Sequence, residues 1–435
     1  MKKIMHEKVF SILCLLTCLI LLGLQGDSQV SAALDKSIYK NLKTFNEVLD
    51  MVQKNYVEEI ASKKLIEGAI NGMMKSLDPH STYMTKEMYK ELEVETRGIF
   101  GGIGIEITMK KDVLTVVSPI EDTPAFNAGV KAGDQIIQID GKSTKDITIM
   151  EAVKKLRGPK DSKVTITIMR ENMPKPKDFV ITREIIKIKS IKSKIYDDHI
   201  GYVRVSSFQE RTADDLRKEI RDINAKAGVL KGLILDFRNN PGGLLNQAVG
   251  VADVFLKSGI IVSTMGRTKS METKSLAKDD GDEPTCFIVA LVNEGTASAA
   301  EIVAGALQDN GRALVIGTQT FGKGSVQTVI PLEDGSALKL TTAKYYTPNG
   351  KSIQAEGIKP DVIVKYSRPS EDRESTDDFI RERDLKNHIK PKRENGTNID
   401  ESIKKEQDIS IQDNQLKSAI DIIKGLDIMK KNLKN

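Results

Sequence analysis

The chain has 435 residues, enough for two or three domains that each bury a core. Its 66 Lys and Arg against 61 Asp and Glu leave a formal net charge of +5, spread along the whole length. With no tryptophan and 5% aromatic residues, this composition excludes a basic nucleic-acid-binding stripe with a base-stacking platform.

The first element in chain order reads as an export signal. Lys2, Lys3 and Lys8 precede an apolar run from Phe10 to Leu24, and Val30–Ala32 offers small residues for cleavage. As a helix the run would span about 22 Å, short of a ~30 Å hydrocarbon core. Residues 1–33 are therefore read as a signal peptide or, uncleaved, as an N-terminal membrane anchor. In both cases the basic flank stays inside and the remainder is exported. Cys14 and Cys18 fall in this run, so Cys286 alone cannot form an intrachain disulfide. His80, His199 and His388 lack ligand spacing, and neither a metal nor an organic cofactor is expected.

Residues 34–97 read as helical. Leu42, Phe45, Val48, Leu49 and Val52 recur at helical spacing, as do Leu65, Ala69, Ile70, Met73 and Leu77. The methionines here read as core filler, and "LDPHST" (Leu77–Thr82) breaks the second helix at Pro79. Residues 98–184 change to short alternating strands, "GIEITMK", "VLTVVS", "DQIIQIDGKS" and "KVTITIMR", interrupted by a helix over Thr148–Gly158. Residues 185–366 alternate strands and helices. "GLILDF" and "CFIVALV" are continuous apolar strands, as expected when both faces of a parallel sheet are covered. A helix is predicted over Leu244–Leu256, another to about Gln308, and a hairpin turns at "EDGS". Residues 367–435 hold a polar linker and an amphipathic helix, Leu416–Leu426.

Three loops carry the chemistry. In "NEGTASAAE" (residues 293–301) a buried strand gives way to a helix, with hydroxyls at Thr296 and Ser298. A serine on the first turn of a helix sits beside unsatisfied N–H groups and the positive end of the dipole, which suit an oxyanion. A helix cap is the plainer reading, and spacing does not separate the two hydroxyls. "RNNPGG" (Arg238–Gly243) occupies the same slot after the neighbouring strand. Loops at the carboxyl ends of adjacent parallel strands converge on one crevice, so Gly242 or Gly243 can aim an N–H beside that of Ala299. "FGKGSVQTVI" (Phe321–Ile330) then supplies Lys323, with Gln327 on the same side if the strand extends back to the lysine. Poising an amine near pH 7–8 from a reference near ~10.4 takes roughly 4 kcal/mol, which a dry cleft can supply. A Gly-Lys-Gly loop facing solvent is the alternative.

Taken together, "NEGTASAAE", "LDFRNNPGG" and "GKGSVQ" resemble the carboxy-terminal processing, or tail-specific, proteases: PDZ-containing serine endopeptidases with a Ser–Lys dyad. "LDPHSTY", "LRGPK" and "YYTPNGKSIQAEGIKPD" match the same family. The resemblance implies a multidomain α+β chain with a ClpP/crotonase-like α/β protease core over 185–366 and an inserted PDZ domain over 98–184. It implies Ser298 as nucleophile, Lys323 as general base and Gln327 as the residue orienting the lysine. Gly242 or Gly243 with Ala299 would form the oxyanion hole. One departure is at Thr296 and Ala300, where the family often has serine; neither matches the nucleophile position. In the PDZ domain, Ile103, Gly104 and Ile105 would cradle an apolar C-terminal tail that adds as a strand, and Arg157 would link groove occupancy to the core. The partners implied are proteins or peptides with apolar C-termini, and a homodimer through the terminal helical regions. Two other readings remain at this point: a catalytically inactive PDZ scaffold and a crotonase-fold acyl-CoA enzyme.

Overall fold

The structure, a computed structural model, describes residues 37–170, 173–196, 199–367 and 413–433. The export signal with Cys14 and Cys18, and the polar stretch holding His388, lie outside the described residues. The chain divides into two units, residues 1–83 and 84–435.

In the first unit, helix α1 covers 37–55 and α2 covers Ser62–Lys75. Leu42, Phe45 and Val48 are exposed along α1. The core-filler reading of the methionines holds for Met74 but not for Met51 and Met73, which face solvent. Helix α2 stops at Lys75, before Pro79 is reached. Beyond it the Asp78 carboxylate accepts the N–H groups of His80 and Ser81 at 2.8 and 2.9 Å, an Asx turn ahead of strand β1 (Thr82–Met84).

The second unit opens with α3 (Lys86–Arg97), capped by Thr85 and ended by Gly98 in the left-handed region (φ 66°). Strand β2 (Ile99–Gly102) follows. Then come β3 (Ile105–Lys110), β4 (Val113–Pro119), α4 (Pro124–Asn127), β5 (Gln135–Ile139) and β6 (Lys142–Ser143). Helix α5 (Ile149–Leu156), β7 (Lys163–Met169) and β8 (Lys177–Thr182) complete this region. The strands form an antiparallel sheet in the order β3-β4-β5-β7-β8, with β6 on β5. Ile136, Ile139, Ile166 and Ile168 pack inward against Ala152 and Leu156 of α5. Thr148 and Glu151 close a capping box at the start of α5. The helix ends two residues before the predicted Gly158, because the Arg183 guanidinium takes the carbonyls of Lys155 and Leu156 at 2.8 and 3.0 Å. Strand β9 (Glu184–Lys187) returns antiparallel to β2.

The alternating region supplies β10 (Ile191–Tyr196), β11 (Ile200–Val205), α6 (Thr212–Ala227), β12 (Gly232–Asp236), α7 (Leu245–Asp253), β13 (Ile260–Met265) and β14 (Glu272–Leu276). It continues with β15 (Phe287–Val292), α8 (Ala299–Asp309), β16 (Leu314–Gly317), β17 (Ser325–Pro331), β18 (Ala337–Tyr346) and β19 (Val362–Ile363). The central sheet runs β10-β11-β12-β15-β16-β19, parallel except at the β10 edge. Helices α6, α7 and α8 bury one face of it, where Leu233, Leu235 and Ala290 sit in the main core. The last helix, α9 (Asn414–Asn432), covers the other face with Ala419, Ile420 and Ile423 against Ile234, Val289 and Ile316. Cover on both faces is why β12 and β15 read as unbroken apolar runs. Helix α7 is shorter than the predicted Leu244–Leu256 and turns out after Asp253. Beside this sheet, β17 and β18 form the predicted hairpin, which continues to β13 and β14.

Candidate active site

The loops after β12 and β15 meet at the carboxyl ends of their strands, as the parallel register demands. The Ala297 N–H donates to the Asn240 carbonyl at 2.9 Å. The Asn239 N–H donates to Asn293 Oδ1 at 2.8 Å, and Asn293 Nδ2 returns a bond to Asn239 Oδ1 at 2.9 Å. A Cβ built on Gly242 would lie 2.8 Å from Ser298 Cβ and 3.0 Å from the Ala299 nitrogen. Only a glycine allows so close an approach, and its φ of 100° also favours one.

The two hydroxyls of "NEGTASAAE" have different partners. Thr296 is fully buried. Its Oγ1 donates to the Phe237 carbonyl at 2.9 Å and accepts the Asn293 N–H at 3.0 Å. It ties the turn to the end of β12. Ser298 precedes α8 with φ 55° and ψ −117°, a conformation that costs a non-glycine residue on the order of 1–3 kcal/mol. A sharp, strained strand-to-helix turn of this kind holds a serine hydroxyl out from the backbone. Burial pushes the Tyr345 phenol, in β18, above its ordinary value, and the Ser298 side chain lowers it in part.

Glu301 holds this turn. It is fully buried, and its Oε2 accepts the N–H of Ser298 at 2.8 Å and the N–H of Lys323 at 2.9 Å. Its Oε1 accepts the Gly322 N–H at 2.7 Å and the Thr320 hydroxyl at 2.5 Å. One carboxylate oxygen therefore joins the backbone of the serine to the backbone of the lysine. The Phe321 N–H adds a bond to the Thr296 carbonyl at 3.0 Å. Lys323 is half-buried and lies in the loop ahead of β17. Gln327 donates through Nε2 to Ser325 Oγ at 2.9 Å and to Thr341 Oγ1 at 3.3 Å. The pairing of β17 with β18 shifts register between Val326 and Gln327, so simple strand alternation does not govern which way Gln327 points from the lysine.

Of the two glycines predicted to donate to an oxyanion, Gly242 has its N–H bound to Asn240 Oδ1 at 2.9 Å. Gly243 bridges Phe208 through its neighbours: Phe208 N–H to Gly242 O at 3.0 Å, and Leu244 N–H to Phe208 O at 2.9 Å. That geometry turns the Gly243 N–H away from Phe208. Ala299 begins α8 beside Gly242.

At the root of the same crevice lies a buried charge network. Asp236, at the end of β12, accepts from Arg238 Nε at 2.9 Å and Nη2 at 2.7 Å, from Arg204 at 3.2 Å and from the Tyr202 hydroxyl at 2.8 Å. Arg238 also bonds Asp413 Oδ1 at 2.9 Å and Gln415 Oε1 at 3.0 Å, the first residues of α9 and its cap. Burial and the Asp236 charge push the Tyr202 phenol well above its usual range. Burial opposes ionisation of Asp413, but hydrogen bonds from Arg238 and the Leu416 N–H outweigh it and hold that carboxyl below its ordinary value.

Comparison with known proteins bears directly on this arrangement. Residues 199–364 match the description "Peptidase family S41", residues 101–178 "PDZ domain", and residues 24–88 "Activating protease CtpB N-terminal domain". The chain is 48% identical to a carboxy-terminal-processing protease of Bartonella bacilliformis over 364 residues, 83% of either chain. The chain belongs to the carboxy-terminal processing proteases. A second relative, the carboxy-terminal processing protease CtpA of Bacillus subtilis, is 38% identical over 77% of this chain and 70% of its own. A solved photosystem II D1 C-terminal processing protease is 29% identical, with a TM-score of 0.45, over 74% of this chain and 92% of its own.

As a member of this family, the chain is a serine-type peptidase of mixed α/β architecture with PDZ and peptidase domains. That excludes the crotonase-fold acyl-CoA reading of the sequence. In the PDZ domain, Ile103 is buried in the core, Gly104 takes φ 77°, and Ile105 opens β3. The Ile103 carbonyl accepts the Ala125 N–H at 2.9 Å, and the Gly104 carbonyl accepts the Ile120 N–H at 2.9 Å. Strand β3 ends its sheet, with α5 packed beside it. Arg157 caps α5, where its Nη1 meets Glu91 Oε2 at 2.6 Å and its guanidinium lies 4.4 Å over the Phe100 ring. Its contacts therefore run to α3 and β2.

Sequence reasoning passed over Glu301 and Asn240. Glu301 had a local signal, the Ser-x-x-Glu spacing of a capping box. Its bonds to the lysine loop join positions too far apart in sequence for any spacing rule.

Proposed function

We propose that this family member is an exported endopeptidase that recognises C-terminal tails and cuts peptide bonds through a Ser298–Lys323 pair. The observation that carries the reading is the single oxygen of Glu301 that receives both the Ser298 and the Lys323 N–H. It brings the strained serine turn and the lysine loop to one place.

In this mechanism neutral Lys323 takes the proton of Ser298 as Oγ attacks the substrate carbonyl. The N–H groups of Gly243 and Ala299 receive the oxyanion, while Gly242 serves through the backbone approach that its missing side chain allows. The lysine ammonium then protonates the departing amine, leaving an acyl-enzyme on Ser298. Water attacks next, giving its proton to Lys323, and the serine is regenerated. Gln327 orients the lysine loop, reached through Ser325 and Thr341. No histidine is required: the His199 ring is bonded to the Ala227 carbonyl at 2.6 Å.

Tail recognition is assigned to Ile103, Gly104 and Ile105. A sheet that ends at β3 beside α5 can accept a peptide as a further strand. Ile103 lies in the core beneath this loop and shapes it from below, while Ile105 is only half-buried. Arg157 couples the groove to the core by exchanging its Glu91 partner. Export rests on the basic start and apolar run of residues 1–33. The exposed Leu42, Phe45 and Val48 on α1 suit a second copy of the chain.

The test incubates the mature chain, and Ser298→Ala, with an unfolded protein ending in an apolar tail. Cleavage by the parent alone is expected, and slower when the tail is amidated. Binding without cleavage by either protein would instead mark an inactive PDZ scaffold.

A further inference from the structure

Asn240 holds the oxyanion loop from within. It is fully buried. Its Nδ2 donates to the carbonyl of Val205, the last residue of β11, at 2.8 Å, and its Oδ1 accepts the Gly242 N–H at 2.9 Å. One partner accepts and the other donates, so the orientation of the amide is fixed. The bond to Gly242 closes an Asx turn. The main chain of Asn240 adds two more bonds: its N–H donates to the Phe237 carbonyl at 3.2 Å, and its carbonyl accepts the Ala297 N–H at 2.9 Å. Main-chain N–H groups of a folded turn are rarely left without an acceptor. In residues 239–243, Asn239 donates to Asn293 Oδ1, Asn240 to Phe237 and Gly242 to Asn240, while Pro241 has no N–H. In residues 295–301, the side chain of Asn293 or Glu301, or a main-chain carbonyl, takes every N–H but one. The two N–H groups without an acceptor among the described residues are those of Gly243 and Ala299. Gly243 is exposed, whereas Ala299 is buried.

We propose that Asn240 is a positioning residue that selects the oxyanion donors: its side chain takes the Gly242 N–H and its carbonyl the Ala297 N–H, which leaves those of Gly243 and Ala299 for the substrate carbonyl oxygen. The inference rests on the reading of Ser298 as nucleophile and of these two donors as the oxyanion hole. As Ser298 Oγ bonds the acyl carbon, the carbonyl π pair moves to its oxygen and the serine proton passes to Lys323. Donors already aimed at that oxygen need no reorganisation during the step. Asn240 acts through the loop and touches no reacting atom. Without its acceptor, the buried Gly242 N–H would be unpaired and free to turn into the crevice, carrying Gly243 off its aim.

The test uses a peptide aldehyde, whose hemiacetal with the nucleophile carries the oxygen that the donors receive, and the matching peptide alcohol, which forms no adduct. Dissociation constants are measured for the full chain, Asn240→Ala, Asn240→Ser and Ser298→Ala, each with its thermal midpoint. Turnover of an unfolded substrate is followed for the parent and the Asn240 variants. Asn240→Ala is expected to bind the aldehyde about 10- to 100-fold more weakly and to lose kcat in parallel, with KM and the affinity for the alcohol unchanged. Asn240→Ser returns a hydroxyl acceptor to Gly242 and should recover part of the loss, although it does not restore the bond to Val205. Parental aldehyde affinity in Asn240→Ala, with weak binding by Ser298→Ala, overturns the role of Asn240 alone, as do equal losses in the two Asn240 variants. Fewer binding sites at unchanged affinity per site would mark misfolding and overturn it too. Tight aldehyde binding that persists in Ser298→Ala overturns the nucleophile reading, and this inference with it. Should neither Asn240 variant fold, hydrogen exchange of the parent at single amides decides. Gly242 should be protected before the aldehyde is added and Gly243 only afterwards, and protection that Gly242 gains with the aldehyde overturns the proposal.

Discussion

The peptidase sheet and the PDZ sheet are anchored in opposite ways. The loops after β12 and β15 are cross-bonded through Asn239, Asn240 and Asn293, and Glu301 adds four further bonds between the serine and lysine loops. In the PDZ sheet, β3 lies at the end of its strand order. One region has its geometry over-determined, as the proposed nucleophile turn would require. The other keeps a terminal strand, the edge on which the proposed tail would be read. Bond cleavage needs atoms held to fractions of an ångström, whereas tail reading needs an edge that an incoming strand can complete.

The harshest way to break the comparison is at the nucleophile. Ser298→Ala should lower cleavage of an unfolded substrate by at least about 1,000-fold, with peptide binding to the isolated groove unaffected in titrations. Next is the brace. Glu301→Gln puts an amide NH2 toward groups that themselves donate, and should cost about 3 kcal/mol or more in chemical denaturation. Turnover should fall about 100-fold as the lysine loop loses its register. Gly242→Ala sharpens the same point at smaller scale. Its Cβ would press on Ser298 Cβ at 2.8 Å with φ at 100°. A loss of about 1–3 kcal/mol is expected, together with slower turnover and unchanged tail affinity.

How much of this the sequence holds depends on range. The parallel strands were legible because both faces of β12 and β15 are covered, so their apolar runs are unbroken. The meeting of the two strand-end loops followed from that order. Spacing could not separate Thr296 from Ser298, because what distinguishes their settings is distant in sequence: Thr296 Oγ1 bonds the Phe237 carbonyl, and the Ser298 N–H shares a Glu301 oxygen with the Lys323 N–H. The Ser-x-x-Glu pattern announced a cap at Glu301, but not its bonds to Gly322 and Lys323. Arg157 was legible as a charge at the end of α5, while Glu91, 66 residues earlier, was not legible as its partner. The committed N–H of Gly242 depends on a local Asn240 side chain whose direction a sequence does not reveal.

Two finer tests probe the connections around these regions. Arg157→Ala removes a part-exposed pair with Glu91, so stability should change by no more than about 1 kcal/mol. Turnover stimulated by an apolar-tailed peptide should be lost while the peptide still binds, and retained stimulation would dismiss the coupling role. The smallest effect concerns α9. The Asp413 carboxyl is held below its ordinary value of 3.8, so its contribution is complete above that pH and fades as pH falls through the lowered value. Asp413→Asn should lower stability modestly near neutrality, where the carboxylate's contribution is complete, and flatten the acid limb of a stability-versus-pH curve followed by circular dichroism.

The central claim is that Lys323, uncharged, is the base for Ser298. The direct measurement is the pH dependence of kcat/KM for an unfolded substrate, taken for the parent and for Lys323→Ala. The account predicts a parental acidic limb well below the ~10.4 of a free lysine, and a Lys323→Ala protein that stays folded but loses nearly all activity at every pH. Digestion by Lys323→Ala at the parental rate would contradict it.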